Sequence, residues 1–130
     1  MKSKSQKKIN SEKQWLFFYL ILQNKGKESE VSYKPLYGDL NSCWFHHILP
    51  KSKYPELRYC PDNIIMLTPE EHEEVEKGKI YDEVENRKES IIFNYKEKVE
   101  ETNKYIKEYL DPMYEHAKTT KFFKQNQHNG

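Results

Sequence analysis

Three observations predict an α+β fold for this 130-residue chain. Two apolar runs of strand length, residues 43–49 and 63–67, are separated by a loop that contains Pro55 and Pro61. The second run leads straight into Thr68, Pro69, Glu70 and Glu71, which puts a hydroxyl at an N-cap, proline at the first helical position and glutamate three residues after the cap. Apolar residues at helical spacing then fill the chain on both sides of this unit. The expected architecture is a strand pair and a short helix, flanked by an N-terminal helix and a long C-terminal helix.

Residues 1–10 are rich in Lys, Ser and Gln and read as a basic flexible arm, in which Lys2, Lys4, Lys7 and Lys8 can follow a polyanion. A helix is expected over 11–24, because the segment is too long for an ordinary strand, Ser11 is a capping residue and Gly26 lies just past the end. Trp15, Phe18, Tyr19 and Leu22 make its apolar stripe. Leu16, Phe17, Leu20 and Ile21 leave little polar face, so both sides must touch protein: its own core or, through residues 12–22, a second copy in a homodimer. Residues 25–42 form a turn-rich connection around Gly38, Asp39 and Asn41, with one short strand near 31–33. The first main strand, 43–49, is aromatic and β-branched and is stopped by Pro50, and Asn63 opens the second. The capped helix runs over 69–77 with Gly78 as its stop. A longer helix is expected over 80–110, with Ile80, Val84, Ile91, Tyr95, Val99, Ile106 and Leu110 on its narrow apolar face and Pro112 as its end. The polar stretch 118–130 reads as a flexible tail, leaving 11–117 as one domain with 43–78 at its centre.

Composition narrows the classes of function. Charged residues are 33% of the chain, hydrophobic residues 35%, and the mean hydropathy is −1.08, enough for a small core. The longest apolar run, residues 15–22, is far short of a membrane span of about 20 residues and has no leader-like cleavage site, so no membrane partner and a cytoplasmic location are expected. Cys43 and Cys60 are neither a disulfide framework nor a CxxC knuckle, and read as reduced core thiols. The net charge of +1 hides a polarity: residues 1–13 hold five Lys and one Glu, whereas 69–101 hold twelve acids and six bases. Contact with a polyanion must therefore be local, and the acidic helix must face away from it.

The residues suited to chemistry lie within 46–76. His46 and His47 close the first strand, His72 stands in the first turn of the capped helix, and Glu76 follows His72 at i,i+4 on the same helical face. If the helix folds across the strands, two imidazoles and a carboxylate make a three-ligand metal site with open positions. The second histidine of the pair is then left to act as a base near neutral pH. On spacing alone, the histidine pair reads equally well as a chance pair in an edge strand, with His72 an exposed helix residue.

The segment HHILPKSKYPELRYCPDNIIMLTPEEHEEVEKGK resembles the HNH nuclease motif, the ββα-metal unit. That motif runs from a His-His or Asp-His pair through a Lys/Ser/Pro loop to an Asn that opens the second strand, and then to a helix bearing His. The likeness extends over about residues 31–78. Ser29, Glu30 and Val31, with Lys34, Pro35 and Leu36, look like the strand that leads into the motif in phage-encoded members.

The resemblance implies that His46 and His72 are metal ligands, that His47 is the general base, and that Asn63 orients His47 through backbone hydrogen bonds. It implies metal-dependent hydrolysis of phosphodiesters, of DNA before RNA, by a nuclease from a phage or mobile element acting in a bacterial cell or infected host. Lys51, Lys53 and Arg58, in the loop between the strands, are the expected phosphate contacts. Where many members carry a third His, this chain has Glu76, which favours Mg²⁺ or Mn²⁺ while leaving Zn²⁺ open. Tyr54 and Pro55 stand where others have Gly-Gly, and the absence of CxxC knuckles leaves no structural zinc. The rival readings are a catalytically silent nucleic-acid-binding module that keeps the fold, and an assembly subunit that uses the apolar and acidic helices as surfaces.

Overall fold

The computed structural model describes residues 5–120 together with 122 and 123. Helix α1 spans Gln6–Lys25 and starts earlier than expected. Its cap is Ser5, not Ser11: the Ser5 Oγ accepts the N–H of Lys8 at 3.2 Å. Residues 6–10 are therefore the first turns of a helix rather than part of a flexible arm, and Ile9 anchors them against the core. Lys2 and Lys4, and the part of the expected 118–130 tail from 124 on, lie outside the described residues, whereas Phe123, within that expected tail, is buried in the core with Phe122 packed against it. Leu16, Phe17, Phe18, Leu20 and Ile21 are buried within the single chain, and Trp15, Tyr19 and Leu22 are half-buried. The chain's own core thus takes up the apolar surface of α1 on both sides.

The connection after α1 forms an isolated bridge between Glu28 and Pro35. The short strand expected near 31–33 is a turn, because the Ser29 hydroxyl accepts the N–H groups of Val31 and Ser32 and so competes with any ladder. Strand β1 (Phe45–His47) pairs antiparallel with β2 (Ile64–Met66), with Phe45 opposite Met66, His46 opposite Ile65 and His47 opposite Ile64. Both are shorter than expected, since 3-10 turns at Ser42–Trp44 and Pro61–Asn63 occupy their leading ends. The far edge of β2 is closed by Glu30: its N–H donates to the Met66 carbonyl at 2.8 Å and its carboxylate accepts the Met66 N–H at 2.7 Å. Burial opposes ionisation of Glu30, but Lys25, the Met66 N–H and Arg87 hold its carboxyl below the usual range.

Helix α2 (Pro69–Glu76) carries the full capping box: Thr68 Oγ1 accepts the Glu71 N–H at 3.1 Å and Glu71 Oε1 accepts the Thr68 N–H at 2.8 Å. The same carboxylate oxygen accepts the Ser29 hydroxyl at 2.6 Å, which ties α2 to the turn before β1. The expected long C-terminal helix is divided into α3 (Asp82–Phe93), α4 (Tyr95–Tyr105) and α5 (Asp111–Lys118). Asn94 breaks it between α3 and α4 and returns its side-chain amide to the Ser90 carbonyl. A single π turn, Ile106–Leu110, joins α4 to α5, and Pro112 does not end the helix. Proline is tolerated there because it falls in the first turn of α5, after the wider π turn has reset the carbonyl ladder. Ile80 precedes α3 and is 70% exposed, so it drops out of the expected stripe.

Two apolar clusters grip the hairpin. Phe45, Ile64 and Met66 pack with α1 and with Leu110 and Tyr114 of the last helical segments. Ile65 and Leu67 face the other way, onto Ile48, Leu49, Leu57, Cys60, Val84 and Ile91. Cys60 is a core thiol as expected, but Cys43 is exposed, because the 3-10 turn lifts it out of the strand. Tyr114 donates to the buried Glu12 at 2.8 Å and joins the last helix to the first. Among the described residues no helix is long and apolar enough to cross a membrane.

Candidate metal centre

Adjacent residues of a strand point to opposite faces, and this alternation separates the two histidines of β1. His47 shares its face with Phe45 and packs on Phe18 of α1, with ring centroids 6.0 Å apart. His46 points the other way and meets α2. Its ring lies edge-on to His72 at 5.2 Å, and its Nδ1 is 3.9 Å from Glu76 Oε1. One ligand atom from each of His46, His72 and Glu76 falls within 4.8 Å of the others, and among the described residues no other three His, Cys, Asp or Glu side chains gather this closely. Two ligands on opposite sides of one ion are separated by about 4.2 Å for bonds of about 2.1 Å, so small side-chain rotations bring all three onto a single cation. Glu76 is free to make that move, with its side chain 65% exposed.

Hydrogen bonding places one proton of His72. Its Nδ1 lies 2.7 Å from the Cys43 carbonyl, and a carbonyl only accepts, so Nδ1 carries a proton. In the neutral ring this leaves the Nε2 lone pair facing Glu76 Oε1 at 3.2 Å. Two acceptors at that distance repel unless a proton or a cation lies between them. A backbone carbonyl orienting the outer nitrogen is also the usual support for a metal-binding imidazole. Burial lowers the pKa of His46, the neighbouring His72 lowers it further, and Glu76 partly offsets both.

His47 does not belong to the trio. Its Nε2 lies 3.0 Å from the Arg58 carbonyl and must donate to it, which leaves Nδ1 as the basic nitrogen. Burial, followed by the charges of Lys51, Arg58 and His46 against the one favourable bond to Arg58, brings its pKa down to about 4. His47 is therefore neutral across the physiological range and able to accept a proton. Asn63 is fully buried and holds the loop that supplies this carbonyl: Oδ1 accepts the Leu49 N–H at 2.8 Å, and Nδ2 donates to the carbonyls of Leu49 at 3.0 Å and Leu57 at 3.3 Å. Its own carbonyl accepts the Ile48 N–H at 2.8 Å, so Asn63 continues the pairing where β1 stops.

The three loop cations part company. Lys51 and Arg58 turn toward α1, where both donate to Gln14 Oε1, at 3.0 and 3.1 Å. Lys53 is exposed in the turn after Pro50. The chain matches no family model, no curated protein and no solved structure. Function is therefore read from the side chains themselves. Gln14, Glu30, Ser29 and the Cys43 carbonyl carry no signal in the sequence for the contacts they make here. The first three are ordinary polar residues whose partners lie 36 to 44 positions away, and a backbone carbonyl has no sequence signal at all.

Proposed function

We propose that this chain is a metal-dependent endonuclease of the HNH type, hydrolysing phosphodiester bonds of DNA in a bacterial or phage-infected cell. The observation that carries the reading is the confrontation of His72 Nε2 with Glu76 Oε1 beside His46, while the Cys43 carbonyl holds the far side of the His72 ring. The strand–strand–helix order around these residues, with Asn63 before β2 and the Thr68–Pro69 helix start, supports it. His46, His72 and Glu76 would hold a divalent cation, Mg²⁺ or Mn²⁺ before Zn²⁺. When bound, such an ion offsets the negative charge that develops on the scissile phosphate and the leaving oxygen.

The remaining work belongs to the protein. His47 Nδ1 takes a proton from water as the water oxygen bonds to phosphorus and the bond from phosphorus to the leaving sugar oxygen breaks. The Arg58 carbonyl keeps the ring in the tautomer that leaves Nδ1 free, and Asn63 keeps that loop in place. An arriving phosphate opposes the effect of Lys51 and Arg58 on His47 and strengthens it as a base. Lys51, Lys53 and Arg58 contact phosphates beside the scissile one. The test is incubation of supercoiled plasmid with Mg²⁺ or Mn²⁺, with and without chelator. Nicked or linear products that vanish with chelator are expected. Intact plasmid together with retained DNA binding would identify a silent binding module instead.

A further inference from the structure

We propose that the polar edge of α1 and the loop after β1 form the two walls of a phosphate groove, which carries the DNA backbone from beside His47 toward the N-terminal end of α1. The inference rests on the nuclease reading for its direction, but four of the six residues that line the groove lie on α1, outside the motif. Lys7, Asn10, Ser11 and Gln14 recur at i, i+3, i+4 and i+7, so they share one helical edge. Together with Lys51 and Arg58 they line a concave surface with no carboxylate in its wall.

Two features mark this surface as an anion site rather than a chance basic patch. First, Lys51 Nζ and Arg58 Nε both point at the single neutral oxygen of Gln14, so two cations are held together without an opposite charge. Burial and the nearby Arg58 charge both disfavour the Lys51 ammonium, and an anion in the groove would relieve that cost. Second, the cations lining it lack a carboxylate partner of the kind that Lys13 has in Asp111, Lys25 in Glu30 and Lys98 in Asp62. Lys7, Lys51 and Arg58 make no ion pair among the described residues. The groove is also coupled to the candidate base, since Arg58 lines it with its side chain and holds His47 through its carbonyl. A row of phosphates fits such a surface, because evenly spaced anions can meet Lys7 at one end and Lys51 and Arg58 at the other.

The experiment uses the full chain with a labelled DNA duplex in excess chelator, so that cleavage is silent, and measures affinity over a range of salt. Lys7→Gln and Lys51→Gln are each expected to lower the slope of log affinity against log salt by about one. Gln14→Glu is the sharper variant. It gives Lys51 and Arg58 an internal partner, so its melting temperature should rise while DNA affinity falls about tenfold or more and the salt slope flattens. Lys88→Gln, on exposed α3, should bind like wild type. Wild-type affinity and slope in both Gln14→Glu and Lys7→Gln would overturn the groove, as would a wild-type chain that binds no duplex at all. Plasmid that stays intact with every metal, alongside weakened binding in these variants, would sink the nuclease reading and leave the groove standing.

Discussion

Replacing Asn63 by Ala strips the hairpin of the side chain that satisfies its departing loop. The Leu49 N–H and the Leu49 carbonyl lose the partner that Asn63 gives them, whereas the Leu57 carbonyl keeps the N–H of Cys60. At about 1–3 kcal/mol for each buried polar group left unsatisfied, the cost is about 2–6 kcal/mol, with a smaller contribution from the space left behind. Domains of this size are stable by only about 5–15 kcal/mol, so the variant should fold but sit close to its limit. Urea titration followed by Trp fluorescence would show the midpoint falling at unchanged m-value, and the melting temperature should drop by about 10 °C. Asn63→Asp keeps the acceptor for Leu49 but loses both donors, so it should be no better near neutral pH and should recover in part on acidification, when a protonated carboxyl donates again. A loss below about 1 kcal/mol in Asn63→Ala would show that the loop is held by other contacts and that the proposed support of His47 is wrong.

His47→Ala should lower cleavage by about 10²–10⁴ while metal and DNA binding stay near wild type in equilibrium titrations. A fall of less than tenfold removes it as the base, and loss of metal instead would mean that His46 and His47 exchange roles. Nicking titrated with each cation should be strong with Mn²⁺ or Mg²⁺ and weak with Zn²⁺. Glu76→His should raise Zn²⁺ affinity and lower Mg²⁺-supported turnover, and unaltered metal dependence in Glu76→Ala would leave only two protein ligands. Acid stability should depend on Glu30 and Glu71. Burial opposes ionisation of both, but hydrogen bonds hold both carboxyls below the usual carboxylate range. Their contribution is therefore complete above the unfolded value and is lost as pH falls through the folded ones. Urea midpoints measured from neutral to acid pH should fall more gently in Glu71→Gln than in wild type, and parallel curves would contradict this.

Local signals in the chain were the dependable ones. The capping box at Thr68 and Glu71 works through neighbouring backbone groups, so its residues announce it wherever they occur, and α2 ends within a residue of its expected limit. His72 and Glu76 share a helical face by spacing alone, and a hairpin that turns back into α2 brings His46 to them. What stayed hidden depends on distant partners. Ser5 outcompetes Ser11 as the cap because Ile9 finds core to pack against, which no local pattern reports. Ser29 reads as a loop residue, but it is buried under Glu71 and bends the segment that otherwise looks like a third strand. Pro112 reads as a terminator only if the helix before it is regular, and the π turn removes that premise.

That π turn also bears on how the chain tolerates change in length. A π turn holds one residue more than the α turn it replaces, and one residue advances an α-helix by about 100°. Leu110 at its last position, and Tyr114 and Ala117 beyond it, reach the cluster around α1, and Tyr114 meets Glu12 there. Deleting a single residue from 106–110 would give a helix more regular by every local measure, yet swing these three side chains toward solvent and part Tyr114 from Glu12. Shortening by one is ruinous there, whereas removal of a whole turn, three or four residues, would restore the phase at the expense of reach.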